Sequence, residues 1–253
     1  MSIQTQDHFM PQELHQYSVI VPAAGVGKRM LANYPKQYLQ IEQQSILSHT
    51  VNRLLTHKKI AKVIVVLSEN DEYFNQTNLT DNDDIIKVIG GKERVDSVLQ
   101  GLYALSGEQE QWVLVHDAAR PCVTHQDIDN LIEQCITEGI GGLLAVPVTD
   151  TIKQSDDKKS ENKLTTVERS HLWHALTPQM YKTVELIKAI EQAQQQGLTI
   201  TDESSAIELA GLPSQLVLGS RENIKITRPE DLSLATFYLE QQLKTNLKDN
   251  SCV

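Results

Sequence analysis

Short apolar runs alternate along this chain with longer amphipathic segments. The runs have the length and the Val and Ile content of buried strands, and they occupy residues 18–22, 62–67, 85–89, 112–116 and 142–148. Between them, apolar positions recur at helical spacing in residues 46–55, 95–105 and 128–139. Strands separated by helices of this length predict βαβ units and a mostly parallel sheet covered on both faces. Ligands bind such sheets at the carboxyl ends of the strands, so we expect a site at that edge.

The C-terminal part predicts further regular structure. A helix is expected to begin at Thr201-Asp202-Glu203 and to continue to Leu209, and short strands are expected at 216–218 and 224–226. Thr227-Arg228-Pro229-Glu230 has the pattern of a capping box that starts a last helix. One face of that helix should pack against the sheet through Leu232, Ala235, Leu239 and Leu243.

Between Thr149 and Ser170 the apolar pattern gives way to a polar, charge-dense run. Two extended pieces flanking a polar turn predict a hairpin, which cannot bury a core of its own. We therefore expect this segment to protrude or to pack against another subunit. The Thr177-Pro178-Gln179 sequence beyond it is typical of a turn.

Length and charge narrow the class of protein. The chain has 253 residues and 40% hydrophobic content, which suffices for one large domain with an appendage. The net charge of −10 argues against a general nucleic-acid binder, because such proteins neutralise phosphates with Lys and Arg. Three scattered cysteines fit a reducing compartment better than a disulfide framework. No leader-like segment and no bilayer-spanning run is present, so we expect a cytoplasmic protein.

The first strand runs into a glycine turn loaded with cations. Gly25 and Gly27 are followed by Lys28 and Arg29, and Lys36 comes soon after. Backbone N–H groups of such a turn can face an anion while the side chains add positive charge, which favours a polyphosphate site. A Walker A loop and a dinucleotide fingerprint are disfavoured, because no hydroxyl follows the lysine and a third glycine is missing. A plain turn with solvated basic residues is the alternative.

Two further segments place chemistry after predicted strands. Gly90 and Gly91 would let the backbone approach a flat ligand, with Ser97 available to a base edge or, alternatively, to helix capping. Asp117 could serve Mg²⁺ or a ribose hydroxyl, and Arg120 could clamp a phosphate. A structural ion pair between Asp117 and Arg120 is the competing interpretation.

Two isolated cations complete the candidates. Lys225 lies between Ile224 and Ile226, and side chains alternate along a strand, so the lysine faces a cleft or solvent if the isoleucines face the core. Arg169 lies at the distal end of the charged hairpin. Neither cation identifies a site by itself.

A series of short motifs occurs in order from about Val19 to Leu239. They are Pro22-Ala23-Ala24-Gly25-x-Gly27-x-Arg29-Met30, Pro35-Lys36-Gln37-Tyr38, Gly90-Gly91-x-x-Arg94-x-x-Ser97, His116-Asp117-Ala118-Ala119-Arg120-Pro121, Asp150-Thr151, Leu172-Trp173-His174-Ala175-Leu176-Thr177-Pro178-Gln179, Thr201-Asp202-Glu203 and Asn223-Ile224-Lys225-Ile226-Thr227. Taken together they resemble the 2-C-methyl-D-erythritol 4-phosphate cytidylyltransferases of the non-mevalonate isoprenoid pathway.

The resemblance implies an α/β fold, a single Rossmann-like nucleotidyltransferase domain over residues 18–246 with a mostly parallel sheet. Residues 149–170 would be a protruding β-arm used for dimerisation, and residues 1–17 and 247–253 would be flexible termini. It also implies cytidylyl transfer from CTP to 2-C-methyl-D-erythritol 4-phosphate, giving 4-diphosphocytidyl-2-C-methyl-D-erythritol and pyrophosphate, with Mg²⁺ or another divalent cation. The expected partners are the two substrates and a second copy of the chain, with no nucleic acid and no membrane. Ribitol-5-phosphate cytidylyltransferase and a non-catalytic nucleotide-binding module are the alternatives.

Carried over position by position, the resemblance assigns roles to individual residues. Catalytic roles fall on Arg29, Lys36, Arg169 and Lys225. The CTP pocket is expected from Ala23, Ala24, Gly25, Gly27, Lys28, Gly91, Ser97, Asp117 and Ala118. The methylerythritol phosphate is expected at Asp117, Arg120, Thr151, Arg169, Thr177 and Lys225. Mg²⁺ is expected to be held mainly by the triphosphate, with Asp117 as the candidate protein ligand. Lys92 stands where some relatives carry an acidic residue, so base selection should rest on backbone groups and Ser97.

Overall fold

The computed structural model describes residues 16–25, 35–105, 111–157 and 160–249, and the side chains at 156–163 and 246–249 are outside that description. The predictions for Gly27, Lys28 and Arg29, and for most of the two termini, therefore lie outside the described residues.

The described residues form eleven strands and six α-helices. The strands are β1 (Tyr17–Pro22), β2 (Gln40–Ile41), β3 (Gln44–Ser45), β4 (Ile60–Leu67), β5 (Ile85–Ile89), β6 (Trp112–Val115), β7 (Gly142–Pro147), β8 (Ile152–Asp157), β9 (Ser160–Val167), β10 (Trp173–Lys182) and β11 (Gln215–Leu218). The helices are α1 (Ile46–Leu55), α2 (Arg94–Leu105), α3 (His125–Glu138), α4 (Thr183–Gln195), α5 (Glu203–Leu209) and α6 (Pro229–Asp249). None of these described helices combines the length and the apolar character that crossing a bilayer requires.

Seven strands form one sheet in the order β11-β7-β10-β6-β1-β4-β5. Neighbours in this sheet pair in parallel, except that β10 runs antiparallel to both β6 and β7. The predicted mostly parallel α/β sheet is thus confirmed, with one antiparallel strand that the sequence pattern did not reveal.

The two faces of the sheet are buried under different helices. Along the central strand β1, Val19 and Val21 face a cluster with α1 and α3, whereas Ile20 faces a cluster with α2, α4 and α5. All three side chains are fully buried. Strands covered on both faces read as continuous apolar runs, which is why the sequence located them. Helix α3 begins three residues earlier than predicted because Thr124 caps it, accepting the Asp127 N–H at 3.0 Å.

Strand β10 corrects the interpretation of Thr177-Pro178-Gln179 as a turn. These residues lie inside the strand, where the pairing with β7 shifts register between Ala175 and Gln179. Such an irregularity places the proline where no ladder hydrogen bond is needed, so a turn-like sequence is accommodated within a strand.

The strand predicted at 224–226 is wrong. The segment makes one backbone bond to a neighbouring loop, from the Ile226 N–H to the Ala119 carbonyl at 2.9 Å, and pairs with no strand. The expected alternation holds only in part, because Ile226 is fully buried whereas Ile224 and Lys225 are both partly exposed.

Helix α6 differs from its prediction in two respects. Its capping carboxylate is Asp231 rather than Glu230, accepting the N–H groups of Thr227 and Arg228 at 2.8 and 2.9 Å. Its buried face packs not on the sheet but on a separate cluster of loop, turn and α1 side chains, and Leu243 is 55% exposed.

The predicted hairpin is present. Strands β8 and β9 pair antiparallel as a two-stranded sheet of their own, with Ile152 opposite Val167 and Lys153 opposite Thr166. Leu164 on this hairpin is 59% exposed. The hairpin therefore has no core of its own, as predicted, and its use as a dimerisation arm stays a prediction.

Candidate active site

A cavity of about 260 Å³ opens at the carboxyl edge of the sheet. Five segments of the chain meet there: the turn after β1, the short turn at 36–38, the loop before α2, the loop after β6 and the segment around Lys225. Its walls consist of Pro22, Ala23, Ala24, Gly25, Lys36, Gln37, Gly91, Lys92, Glu93, Arg94, Ser97, Asp117, Ala118, Ala119 and Lys225. Nine of the predicted site residues are among them.

The loop before α2 requires its two glycines. A Cβ on Gly90 would lie 2.6 Å from Ser97 Oγ, and a Cβ on Gly91 would lie 2.3 Å from Asp96 Cβ. The buried Ser97 hydroxyl accepts the Gly91 N–H at 3.3 Å and bonds the Glu93 carbonyl at 3.2 Å. Helix capping falls to Asp96, which accepts the Glu93 N–H at 2.9 Å. Ser97 therefore fixes the shape of the loop backbone at the cavity.

The turn after β1 is fixed on the sheet but leaves backbone accessible. Ala23 donates its N–H to the Val66 carbonyl at 2.8 Å, and its own carbonyl accepts from Gln37 Nε2 at 2.5 Å. A Cβ on Gly25 would meet nothing within 4 Å. Gly25 is thus not required by packing, and its bare backbone faces the cavity where a phosphate could approach.

A carboxylate organises the charges of the cavity. Asp117 Oδ1 lies 3.1 Å from Arg94 Nη2, and Asp117 Oδ2 lies 2.7 Å from Lys225 Nζ and 3.6 Å from Arg120 Nε. Arg94 is in turn held by Glu203, with Nη1 to Oε1 at 2.7 Å and Nη2 to Oε2 at 3.2 Å. Both carboxylates are buried, at 9% and 2% exposure. Three cations against two carboxylates leave one net positive charge beside the cavity of an acidic protein.

These neighbours hold the groups in their charged forms. Burial alone would raise the pKa of Asp117, but the charges of Arg94, Lys225 and Arg120 lower it far below its usual range. Burial alone would lower the pKa of Arg94, but Glu203 and Asp117 raise it above its usual range. Asp117 and Arg94 are therefore both charged at neutral pH.

A buried hydrogen-bond chain positions the backbone of the Asp117 loop. The Asp117 N–H donates to Thr177 Oγ1 at 3.0 Å, and Thr177 Oγ1 lies 3.0 Å from His116 Nδ1. His116 Nε2 bonds the Arg120 carbonyl at 3.0 Å. A carbonyl only accepts, so Nε2 carries the proton and Nδ1 accepts from Thr177. The imidazole thus serves the site in its neutral form.

The two predicted catalytic lysines that the structure describes meet at this cavity. Lys36 and Lys225 both line it, and Lys36 Nζ donates to the Ile226 carbonyl at 2.9 Å, next to Lys225 in the chain. The cavity thus combines glycine-rich backbone, two ammonium groups and a guanidinium, the groups that bind polyphosphates.

A second cavity of about 430 Å³ adjoins the first and shares Lys225 with it. Arg120 and Arg221 line it together with His174, Asn223 and Asp150. Arg120 Nε and Asn223 Oδ1 are buried and have no hydrogen-bond partner among the described residues. A ligand carrying both negative charge and hydroxyl groups would supply partners for such a donor and acceptor.

Three predicted substrate residues line neither cavity. Thr177 is buried behind Asp117 in the hydrogen-bond chain. Arg169 lies at the base of the hairpin rather than at its far end, and its guanidinium donates to the Thr149 carbonyl. Thr151 is exposed at the start of the hairpin. Within a single chain these residues are not brought to the cavity walls.

The described residues offer little for a metal ion. No three His, Cys, Asp or Glu side chains among them lie close enough to hold one. Asp117 is the acidic side chain at the centre of the cavity, and each of its oxygens already contacts a cation. This donor set fits Mg²⁺ that a triphosphate and water hold for the most part, as is usual for Mg²⁺ bound with nucleotides.

Two of the charged residues around Asp117, Arg94 and Glu203, have no functional role in the sequence-based prediction. Arg94 appeared in a motif, but its spacing from Asp117 and Glu203 carries no signal before the fold is known. Glu203 was assigned only to the opening of a helix, although it is 2% exposed. An acidic residue in a Thr-Asp-Glu helix start is ordinarily solvated, so the burial of Glu203 could not be expected from this pattern.

We predict that His116 makes the protein less stable as the pH falls. Burial lowers the pKa of His116 from 6.5 to about 4, so below pH 6.5 the unfolded chain binds a proton that the native state does not. The resulting loss in the free energy of unfolding is about 2 kcal/mol by pH 5. Urea unfolding at neutral pH and at pH 5 should show a smaller decrease in the free energy of unfolding for His116→Gln than for the wild type. Equal losses would contradict the assignment.

Comparison with known proteins agrees with this geometry. Residues 17–241 match the family model IspD: 2-C-methyl-D-erythritol 4-phosphate cytidylyltransferase. The chain is 60% identical over 233 residues to the cytidylyltransferase of that name from Colwellia psychrerythraea, covering 90% of this chain and 96% of the relative. It is 53% identical to that of Vibrio parahaemolyticus, covering 92% and 99%.

Solved structures give the same result. The Francisella tularensis 2-C-methyl-D-erythritol 4-phosphate cytidylyltransferase superposes with a TM-score of 0.76 at 33% identity, covering 88% of this chain and 99% of its own. The Thermus thermophilus enzyme of that name gives a TM-score of 0.72 at 29% identity, covering 87% and 97%. The family match spans most of the chain and includes the segments that line both cavities. The chain therefore belongs to the 2-C-methyl-D-erythritol 4-phosphate cytidylyltransferase family.

Proposed function

We propose that the protein transfers a cytidylyl group from CTP to 2-C-methyl-D-erythritol 4-phosphate, and that the two adjoining cavities hold the two substrates. Membership of the family supports the reaction. The assignment of one cavity to each substrate rests on one observation. Lys225 lines both cavities and lies 2.7 Å from Asp117. A cation shared by two anion sites is suited to joining two phosphates.

The first cavity suits the nucleotide. Its glycine turns bring the backbone close to the cavity, and Lys36 and Arg94 add positive charge at its walls. The loop around Gly91, fixed by the buried Ser97 hydroxyl, gives a flat backbone surface for the base. The side chain of Lys92 is exposed at this loop, so cytosine would be selected mainly by backbone groups.

The second cavity suits a polyol phosphate. Arg120, Arg221 and Lys225 carry positive charge toward it, against one acidic side chain, Asp150. Arg120 Nε lies 3.6 Å from Asp117 Oδ2, so the guanidinium is held on that side by a carboxylate. The excess of positive charge among the lining residues supports the assignment of this cavity to a phosphate.

The chemistry requires cations more than a base. An oxygen of the methylerythritol phosphate forms a bond to the α-phosphorus of CTP, and the bond from that phosphorus to the bridging oxygen breaks to release pyrophosphate. The attacking phosphate is already largely ionised at neutral pH, since its second pKa is about 6. Lys36 and Lys225 would lower the repulsion between the two anions and hold the attacking oxygen in line.

Mg²⁺ completes this proposal. When bound with the nucleotide it would neutralise charge on the triphosphate as pyrophosphate leaves. Asp117 is the described side chain placed to support it, directly or through water.

The hairpin of β8 and β9 would serve a second copy of the chain. Arg169 and Thr151, assigned to the substrate by the resemblance, lie at the base of the hairpin and line neither cavity of their own chain, although Arg169 bonds the carbonyl of Thr149, which lines the second cavity. We propose a homodimer in which the hairpin packs against the partner subunit and these two residues complete a shared site.

The reaction is tested directly by pyrophosphate release. Purified protein with CTP, Mg²⁺ and 2-C-methyl-D-erythritol 4-phosphate should release one pyrophosphate per product formed. The same assay with ribitol 5-phosphate should proceed at a rate lower by about 100-fold or more, because positioning contacts to the polyol are lost. Absence of release with the methylerythritol substrate would refute the proposed function, and a faster rate with ribitol 5-phosphate would favour the sister activity.

Lys36 should matter for turnover more than for nucleotide binding. We expect Lys36→Met to lower kcat by about 100-fold or more while the CTP dissociation constant changes little, because the ammonium stabilises charge that develops in the transition state. Steady-state kinetics and calorimetric titration measure the two effects. The matched control is Lys92→Met, which removes the same charge from the exposed rim of the same cavity and should lower kcat by no more than about 5-fold. Equal losses of turnover and CTP affinity in Lys36→Met would favour a binding module.

Shared sites predict complementation between inactive variants. Mixing Arg169→Ala with Lys36→Met subunits should restore part of the activity, because a hybrid dimer contains one site with both residues intact. Subunits carrying different affinity tags allow the hybrid to be isolated and assayed. An inactive, verified hybrid would show that each site is complete within one chain.

A further inference from the structure

Glu203 is a buried carboxylate that the proposed reaction does not use. It begins α5, and its side chain is 2% exposed. Both of its oxygens accept from the Arg94 guanidinium, at 2.7 and 3.2 Å, in the two-point geometry that fixes the plane of an arginine. Glu203 does not line either cavity, so it contacts the site only through Arg94.

Arg94 transmits this constraint to the centre of the site. While the Arg94 guanidinium binds Glu203, its Nε and Nη2 atoms also lie 3.2 and 3.1 Å from the same oxygen of Asp117, Oδ1. This leaves the other oxygen, Oδ2, facing Lys225 at 2.7 Å. The chain of contacts therefore runs from Glu203 through Arg94 and Asp117 to the ammonium that both cavities share.

The charge balance points to the same role. Without Glu203, the single carboxylate of Asp117 would face three cations within 3.6 Å. Arg94 would then share the Asp117 carboxylate with Lys225 and Arg120 and would be drawn more strongly toward the triphosphate. Glu203 offsets the charge of Arg94 and keeps its guanidinium on Asp117.

We propose that Glu203 is a positioning residue for cytidylyl transfer, which acts through Arg94 to orient Asp117 and thereby Lys225. The inference rests on the proposed function, because its effect is read in the rate of that reaction. Glu203 itself touches neither substrate.

The test compares three carboxylate variants in the intact protein. Glu203→Gln keeps the size of the side chain but removes its charge and one acceptor, and it should lower kcat by about 30-fold with the KM for CTP changed by less than about 3-fold. Glu203→Asp keeps the charge on a shorter side chain and should recover part of the loss. The matched control, Glu208→Gln, removes an exposed carboxylate from the same helix and should leave kcat unchanged.

A merely structural role is separated by a double variant. Replacing both Arg94 and Glu203 by Gln removes an ion pair without leaving a buried charge, so the double variant should melt at a higher temperature than Glu203→Gln alone. If Glu203 only stabilises the fold, kcat per folded molecule should be the same in Glu203→Gln as in the wild type. If it positions Asp117 through Arg94, kcat should stay as low in the double variant as in Arg94→Gln.

Labelling of Arg94 by an arginine-specific dicarbonyl reagent gives a readout independent of activity. Mass spectrometry should show Arg94 protected in the wild type and in Glu208→Gln, and labelled faster in Glu203→Gln. An inactive wild type would overturn the proposed function and this inference together. An active wild type with full kcat in a folded Glu203→Gln variant, or recovery of kcat in the double variant, would overturn this inference alone.

Discussion

The carboxylate of Asp117 is the group around which the site is assembled. Three cations that would repel one another lie within 3.6 Å of its two oxygens, although they come from three separate segments of the chain. At such distances the carboxylate attracts each cation by on the order of 4 kcal/mol at an effective dielectric of about 20. A single buried negative charge offsets this repulsion and lets the cations gather before any phosphate arrives.

The same contacts reconcile the two interpretations of Asp117 and Arg120. Arg120 is 10% exposed and pairs with Asp117 as a structural ion pair would, while it donates to the Asn223 carbonyl at 2.7 Å. Lys225 and Arg94 are 36% and 31% exposed, so they pair with Asp117 and still present part of their surface to the cavity. Structural and functional roles therefore coexist in one cluster.

The sequence predicted the parts of the fold that local patterns determine. Buried parallel strands such as 60–67 read as apolar runs, and the hairpin at 152–167 read as paired polar segments, because both signals are carried by consecutive residues. The sequence pattern did not predict strand β10, because the strand contains Pro178 and a shift in its register. The bond between Arg94 and Glu203 joins positions 109 residues apart, and no local pattern reports such a distance. The motifs therefore predicted which segments line the cavity. The contacts that orient the side chains, such as the bond between Arg94 and Glu203, are known only from the tertiary structure.

The tight loop at Gly90 and Gly91 limits how this wall of the cavity can change by mutation. A side chain at either position would collide with Ser97 or Asp96, so both positions require glycine. Lys92 and Glu93 follow immediately, line the same cavity and are exposed. Substitutions that alter this wall while keeping its backbone in place are therefore to be sought at exposed neighbours such as these.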